Sequence, residues 1–177
     1  MTNRSIQGEE PRRRALRLQG FDYAQSGAYF VTICADERAP LFGEILDGTV
    51  RLSDAGLIVD ACWRAIPEHA SHVVLDAYVV MPDHLHGILM FEPPAPRDTG
   101  GRRGRTLGSV IGSFKSAVSK HLNERRRTAG ATVWQRNYYE HVVRDEVSLA
   151  RIQQYIRDNP VQWALDRATG GSSANPS

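Results

Sequence analysis

Cysteine and lysine are almost missing from this chain: each occurs twice in 177 residues. Cys34 lies in an apolar, strand-like run and Cys62 in a helix-like one, and the pair forms no CxxC. Two isolated thiols of this kind read as small core residues in a reducing compartment. Long apolar runs are absent too. No stretch approaches the ~18 residues of a membrane span, and Met1 to Glu10 carries no apolar h-region of a secretion signal. The expectation is a cytoplasmic protein with no membrane partner. A chain of this length fits one domain with tails and buries roughly two-thirds of its unfolded surface, so it needs neither disulfide nor metal to fold.

What is present is arginine. Lys115 and Lys120 are the only lysines among 22 cationic side chains, and the net charge of +2 conceals a strong segregation. Residues 1–19 hold five arginines against two glutamates, residues 20–100 hold four against twelve acids, and residues 101–127 hold eight bases against Glu124 alone. An acidic scaffold with two basic patches suits the holding of a polyanion, and guanidinium forks match phosphate geometry. The candidate phosphate contacts are Arg12, Arg13, Arg14 and Arg17 in the first patch. In the second they are Arg102, Arg103, Arg105, Lys115, Lys120, Arg125, Arg126 and Arg127. Arg125 to Arg127 read equally well as a solvated helix end, where cations favour the helix dipole.

Tyr29 to Cys34 reads as a strand, and Leu41 to Leu46, Asp47-Gly48 and Thr49 to Leu52 as a hairpin with a two-residue turn. Ser53 caps a helix from Asp54 to Ala65 that Pro67 ends. Val73 to Val80 and Leu85 to Phe91 are strands joined across Pro82-Asp83, and a mobile Pro/Gly linker spans residues 92–104. Leu107, Val110, Ile111, Phe114, Val118 and Leu122 then recur at helical spacing from Thr106 to about Glu124. Tyr138 to Val143 is a last strand, and Asp145 caps a helix that stops at Asp158 before Pro160. Residues 1–11 are expected to form a flexible tail, residues 12–167 the domain, and residues 168–177 a disordered tail. The order of elements predicts an α+β, ferredoxin-like antiparallel sheet with helices packed on one face.

At the entry of the fifth of these strands, in its apolar run, stand His84 and His86. Residues i and i+2 of a strand share a face, so the two imidazoles stand ~7 Å apart on one surface. Two inward histidines either find hydrogen-bond partners or share a cation. In the last helix, Tyr155 and Asn159 are i and i+4 neighbours on one edge of the stripe Leu149, Ile152, Ile156. A tyrosine there reads by itself as an amphipathic core residue, and an asparagine before proline as a helix stop.

In combination these segments have a recognisable context. Met81-Pro-Asp-His-Leu-His86 resembles the MPNHxH signature of the HUH single-strand endonucleases. Val133 to Arg144, followed by Tyr155-Ile-Arg-Asp-Asn-Pro160, is similar to the C-terminal half of the REP-associated tyrosine transposases, and Arg14 to Phe30 and Ile111 to Val118 also resemble the longer bacterial members. The resemblance implies that His84 and His86 bind a divalent cation, Mg²⁺ or Mn²⁺, that Asn159 is its amide ligand and that Tyr155 is the nucleophile. It further implies a 5′-phosphotyrosine intermediate with a free 3′-OH, formed on single-stranded or hairpin DNA such as REP-like palindromes or transposon ends. A cation on the scissile phosphate would neutralise its charge and stabilise the leaving oxygen, which a phenol of pKa ~10 requires. The alternative is a non-catalytic nucleic-acid-binding protein derived from a transposase; a replication initiator or relaxase of the same chemistry is the third reading. Tyr138 and Tyr139 are rival tyrosines, read here as core or base-stacking residues, and only one of them can share a face with His141. Monomer or dimer, the DNA sequence cleaved and the metal's identity stay open at this level.

Overall fold

The apolar run of the first strand forms β1 (Gly27–Cys34), and a 3₁₀ turn at Asp36–Arg38 leads to the hairpin β2 (Gly43–Leu46) and β3 (Thr49–Leu52). The computed structural model describes residues 26–93 and 106–169, with side chains up to 166. Asp47 and Gly48 both take positive φ, 49° and 72°, the pairing that a tight hairpin turn demands. Ser53 caps α1 (Asp54–Arg64) by accepting from the Gly56 amide at 3.1 Å, and Pro67 opens the one-turn α2 (Ile66–His69). Strands β4 (Val73–Val80) and β5 (His84–Phe91), helix α3 (Leu107–Arg126), strand β6 (Tyr139–Val143) and helix α4 (Glu146–Thr169) complete the chain. The expected N-terminal tail, residues 170–177 of the C-terminal one, the Arg12–Arg17 arm and Arg102, Arg103 and Arg105 lie outside the described residues, as does most of the 92–104 linker.

The main sheet runs β4-β5-β1-β6, every neighbouring pair antiparallel. With α1 and α3 as the two crossovers, this is the split βαβ arrangement expected from the sequence. Alternation divides the strands. Tyr29, Val31, Ile33, Leu85 and Leu89 join Val59 and Trp63 of α1 and Leu107 to Leu122 of α3 in the larger core. Phe30, Ile88 and Val143 meet Ile152 and Ile156 of α4 in a smaller one. Helices therefore cover both faces, where the sequence reading placed them on one. The cause is legible in β5, whose residues are buried without alternation, the mark of a strand covered twice.

A second difference concerns α4. The helix passes through Pro160 and takes in Ala168 and Thr169, residues expected to belong to the tail. Proline removes one amide and crowds the carbonyl four residues back. Side chains before and after it, however, are held on the same sheet face, and that packing overrides the local penalty. On β4, a bulge between Leu75 and Tyr78 turns Asp76 toward α4, where its carboxylate accepts from Gln153 Nε2 at 2.8 Å. Gly87 is a close-approach position: a Cβ there would lie 2.4 Å from Trp63 Cζ2.

Candidate active site

The turn before β5 is clamped from three sides. Met81 N donates to His84 O at 2.7 Å, Phe42 N to Pro82 O at 2.9 Å and Ala35 N to Asp83 O at 2.8 Å. This rigid turn delivers His84 opposite Cys34, and His86 opposite Thr32, on the α4 side of the sheet. The two rings converge until their Nε2 atoms are 2.9 Å apart.

Their outer nitrogens are both engaged. His84 Nδ1–H donates to Asp83 Oδ1 at 2.5 Å, because a carboxylate only accepts, and His84 Nε2 is left as a bare lone pair. His86 Nδ1 lies 2.9 Å from Thr32 Oγ1. Two lone pairs facing each other would repel. Either a proton on His86 Nε2 points at His84 while Thr32 donates to Nδ1, or a cation replaces that proton and Thr32 accepts from Nδ1–H. A hydroxyl serves both arrangements. Burial pushes His84 below the usual imidazole range, with Asp83 pulling the other way. His86 is pushed well below it, by burial first and then by the charges of His84 and Arg38. Both rings are thus held neutral, the form that ligates metals.

Helix α4 lies over the pair with a single line of residues. Tyr155 packs on His86, ring centroids 5.3 Å apart and its hydroxyl 3.4 Å from His86 Nε2. Two turns later Trp163 packs on His84 at 5.5 Å. Asn159 sits between them on that line, 2% exposed, and its buried Oδ1 has no hydrogen-bond partner. An orphaned buried amide oxygen calls for a partner, ordinarily protein, water or ion. Among the described residues no group of three His, Cys, Asp or Glu is placed to hold a metal ion, so a cation held here would take two imidazoles and an amide. The donor set fits: adjacent octahedral ligands at ~2.1 Å lie ~3.0 Å apart, against 2.9 Å between the imidazole nitrogens.

Phe30 organises the neighbourhood. It stacks on His86 at 5.5 Å and meets Tyr155 and Tyr139 edge-on at 6.1 Å and 6.2 Å. Register puts Tyr139 opposite Thr32 and His141 opposite Phe30, so these two share the histidine face. Tyr138 instead packs on the larger core, beneath the Lys115 ammonium at 5.7 Å.

Among the described residues, the bases of the second patch do not gather at this site. Helix α3 packs on the opposite sheet face, so Lys120, Arg125, Arg126 and Arg127 are exposed behind it. Arg125 pairs with Asp54 at 2.7 Å, and Arg127 terminates α3 with φ 56°. Lys115 turns inward: its ammonium donates to the carbonyls of Gln135, Arg136 and Asn137 at 2.8, 3.4 and 3.0 Å. Burial lowers its pKa.

Four residues of the site lay beyond the sequence reading. Asp83 and Arg38, the latter 3.3 Å from the Asp83 carboxylate through Nε, were signalled only by the acid beside His84. Thr32 needed strand register. Trp163 was hidden by ending the helix at Pro160; once the helix continues, Tyr155, Asn159 and Trp163 form one i, i+4, i+8 ridge inclined to its axis.

Comparison with known proteins bears on the family and the fold. Residues 58–159 match the family described as Transposase IS200 like. A Haemophilus influenzae protein that carries no functional name is 37% identical over 167 residues, covering 88% of this chain and 92% of that protein. A second one from the same organism, named as a REP-associated tyrosine transposase, is 26% identical over 142 residues, 80% of this chain and 74% of its own length. A solved structure of a REP-associated tyrosine transposase bound to a REP hairpin superposes with a TM-score of 0.53 at 18% identity, covering 91% of this chain and 93% of that one.

Proposed function

The chain belongs to the IS200-like transposase family, and from that premise we propose that it is a metal-dependent enzyme that nicks and joins single-stranded DNA beside a hairpin. The observation that carries this reading is the convergence of a phenol on a pair of imidazoles. The Tyr155 hydroxyl is 3.4 Å from His86 Nε2, which is 2.9 Å from His84 Nε2. A transposase of similar fold binds a REP hairpin, which supports hairpin DNA as the partner. No described helix is long and apolar enough to cross a membrane; a cytoplasmic location is part of the proposal.

In this mechanism His84, His86 and Asn159 hold Mg²⁺ or Mn²⁺. When bound, the cation supplies Lewis acidity at the scissile phosphate and neutralises the charge that repels an anionic nucleophile. Asp83 and Thr32 hold the two rings so that both Nε2 lone pairs face inward. Phe30 and the Asp76–Gln153 hydrogen bond fix Tyr155 over the pair. The Tyr155 oxygen gives up its proton and bonds to phosphorus, the bond to the 3′ oxygen breaks, and that oxygen leaves as a hydroxyl. The phosphotyrosine keeps the diester's energy, so an incoming 3′-OH reverses the step without ATP.

The alternative, a transposase-derived protein that only binds nucleic acid, is separated by one experiment. Wild type is incubated with a labelled single-stranded hairpin oligonucleotide and Mn²⁺ and run under denaturing conditions. We expect a covalent adduct that chelation abolishes and that Tyr155→Phe lacks while binding DNA within a few-fold. An adduct mapped to Tyr138 or Tyr139 overturns the assignment, and binding without any adduct favours the alternative.

A further inference from the structure

We infer that Tyr139 is a stacking platform for a nucleobase of the single strand flanking the cleaved phosphate; this rests on the nicking reading above. Cross-strand register places Tyr139, Thr32 and His86 in one row on the site face. Two strand spacings separate the ends of that row, about 10 Å, which brings a nucleotide adjoining the reacting phosphate within reach of the ring. Along the row the exposure changes abruptly: His86 is 2% and Thr32 3% exposed, whereas Tyr139 is 39% exposed. Its ring therefore borders the buried aromatic cluster and opens outward from it.

Phe30, fully buried, backs the Tyr139 ring at an interplanar angle of 69° and limits its rotation. An aromatic ring of this kind, rigid on one side and wet on the other, is what unpaired bases stack on, without regard to sequence. Phosphates on either side also find cations. Arg136 and Arg144, both exposed, stand at the two ends of β6, and β6 is an edge strand of the sheet. The α3 bases, on the opposite face, cannot serve a strand lying across this surface.

The test uses the full chain carrying Tyr155→Phe, so that no strand is cut, and a DNA hairpin with thymidine flanks. Each oligonucleotide carries 5-iodouracil at one flank position, and irradiation cross-links it to a stacked aromatic ring. We expect one flank position to give a cross-link that maps to Tyr139. Adding Tyr139→Leu should weaken binding of the flanked hairpin by about 5- to 150-fold and leave a blunt hairpin unaffected, while Tyr139→Phe should bind as the parent does. Cross-links confined to other residues, read on the protein with Tyr139 in place, overturn the platform even if the leucine variant misfolds. Equal affinity of the leucine variant for flanked and blunt hairpins overturns it too, with the nicking reading intact. A parent that binds neither DNA overturns both.

Discussion

Replacing Asp83 with leucine separates orientation of a metal ligand from its protonation. The carboxylate accepts from His84 Nδ1–H at 2.5 Å and faces Arg38 Nε at 3.3 Å. Leucine keeps the branch at Cγ but is bulkier, so some overpacking adds to the loss of an acceptor for a buried ring N–H, which costs about 1–3 kcal/mol. Loss of the Arg38 contact adds at most ~1 kcal/mol, since that side chain is 46% exposed and hydrated. Freed of its acceptor, His84 can rotate or exchange tautomer, and partners of this type support metal affinity by about 10- to 100-fold, or roughly 1.4–2.7 kcal/mol. Protonation works in the opposite direction. Asp83 raises the His84 pKa against the effect of burial, so removing it lowers that pKa and favours the neutral, ligating ring. A weaker site in Asp83→Leu therefore does not come from protonation of the ring and reports the support that the carboxylate gives it. Free Mn²⁺ followed by electron paramagnetic resonance at neutral pH, alongside a thermal melt, reads both effects. Asp83→Asn, which keeps an acceptor oxygen, should lose less than about tenfold. Wild-type Mn²⁺ affinity in a folded Asp83→Leu protein, with His84→Ala deficient, would refute the reasoning.

Gly87→Ala pushes a methyl to within 2.4 Å of a fully buried tryptophan; overpacking of this kind costs about 1–3 kcal/mol, and the melting temperature should fall by roughly 2–12 °C. Lys115→Met removes an ammonium shared by three carbonyls and should lower stability by about 1–3 kcal/mol without changing the salt dependence of DNA binding; a slope reduced by about one unit would place Lys115 on a phosphate instead. Replacing Arg125, Arg126 and Arg127 together with alanine should leave cleavage at saturating DNA intact, because these residues lie behind the sheet. If the hairpin stem reaches that face, the log–log salt slope falls by up to ~3, and an unchanged slope assigns the residues to a solvated helix end.

The elements built on local patterns were readable in advance. The α3 stripe from Leu107 to Leu122 is buried as its spacing predicts, the Asp47-Gly48 hairpin forms, and the histidine and tyrosine motifs meet although they lie 69 residues apart. What escaped the reading depends on tertiary contact. Thr32 reaches His86 across 54 residues, through a strand pairing that no local spacing encodes. Pro160 announces a stop with a local penalty of about 3 kcal/mol, and only the packing of Tyr155 and Trp163 on one sheet face reveals why the helix continues. Lys115 looks like part of a cationic run until the loop 135–137 folds its carbonyls around it.

Strand β5 has a further consequence for how this protein tolerates change. His84, His86 and Ile88 face α4, while Leu85, Gly87, Leu89 and Phe91 face the larger core. Selection for chemistry and selection for folding therefore act on alternate letters of one eight-residue word. A saturation scan scored separately for soluble yield and for DNA cleavage should show two phenotypes out of phase with a period of two. A lineage that ceased to cut DNA would drift first at the histidine positions and keep the intervening letters, so its descendants would still fold while their signature motif decayed.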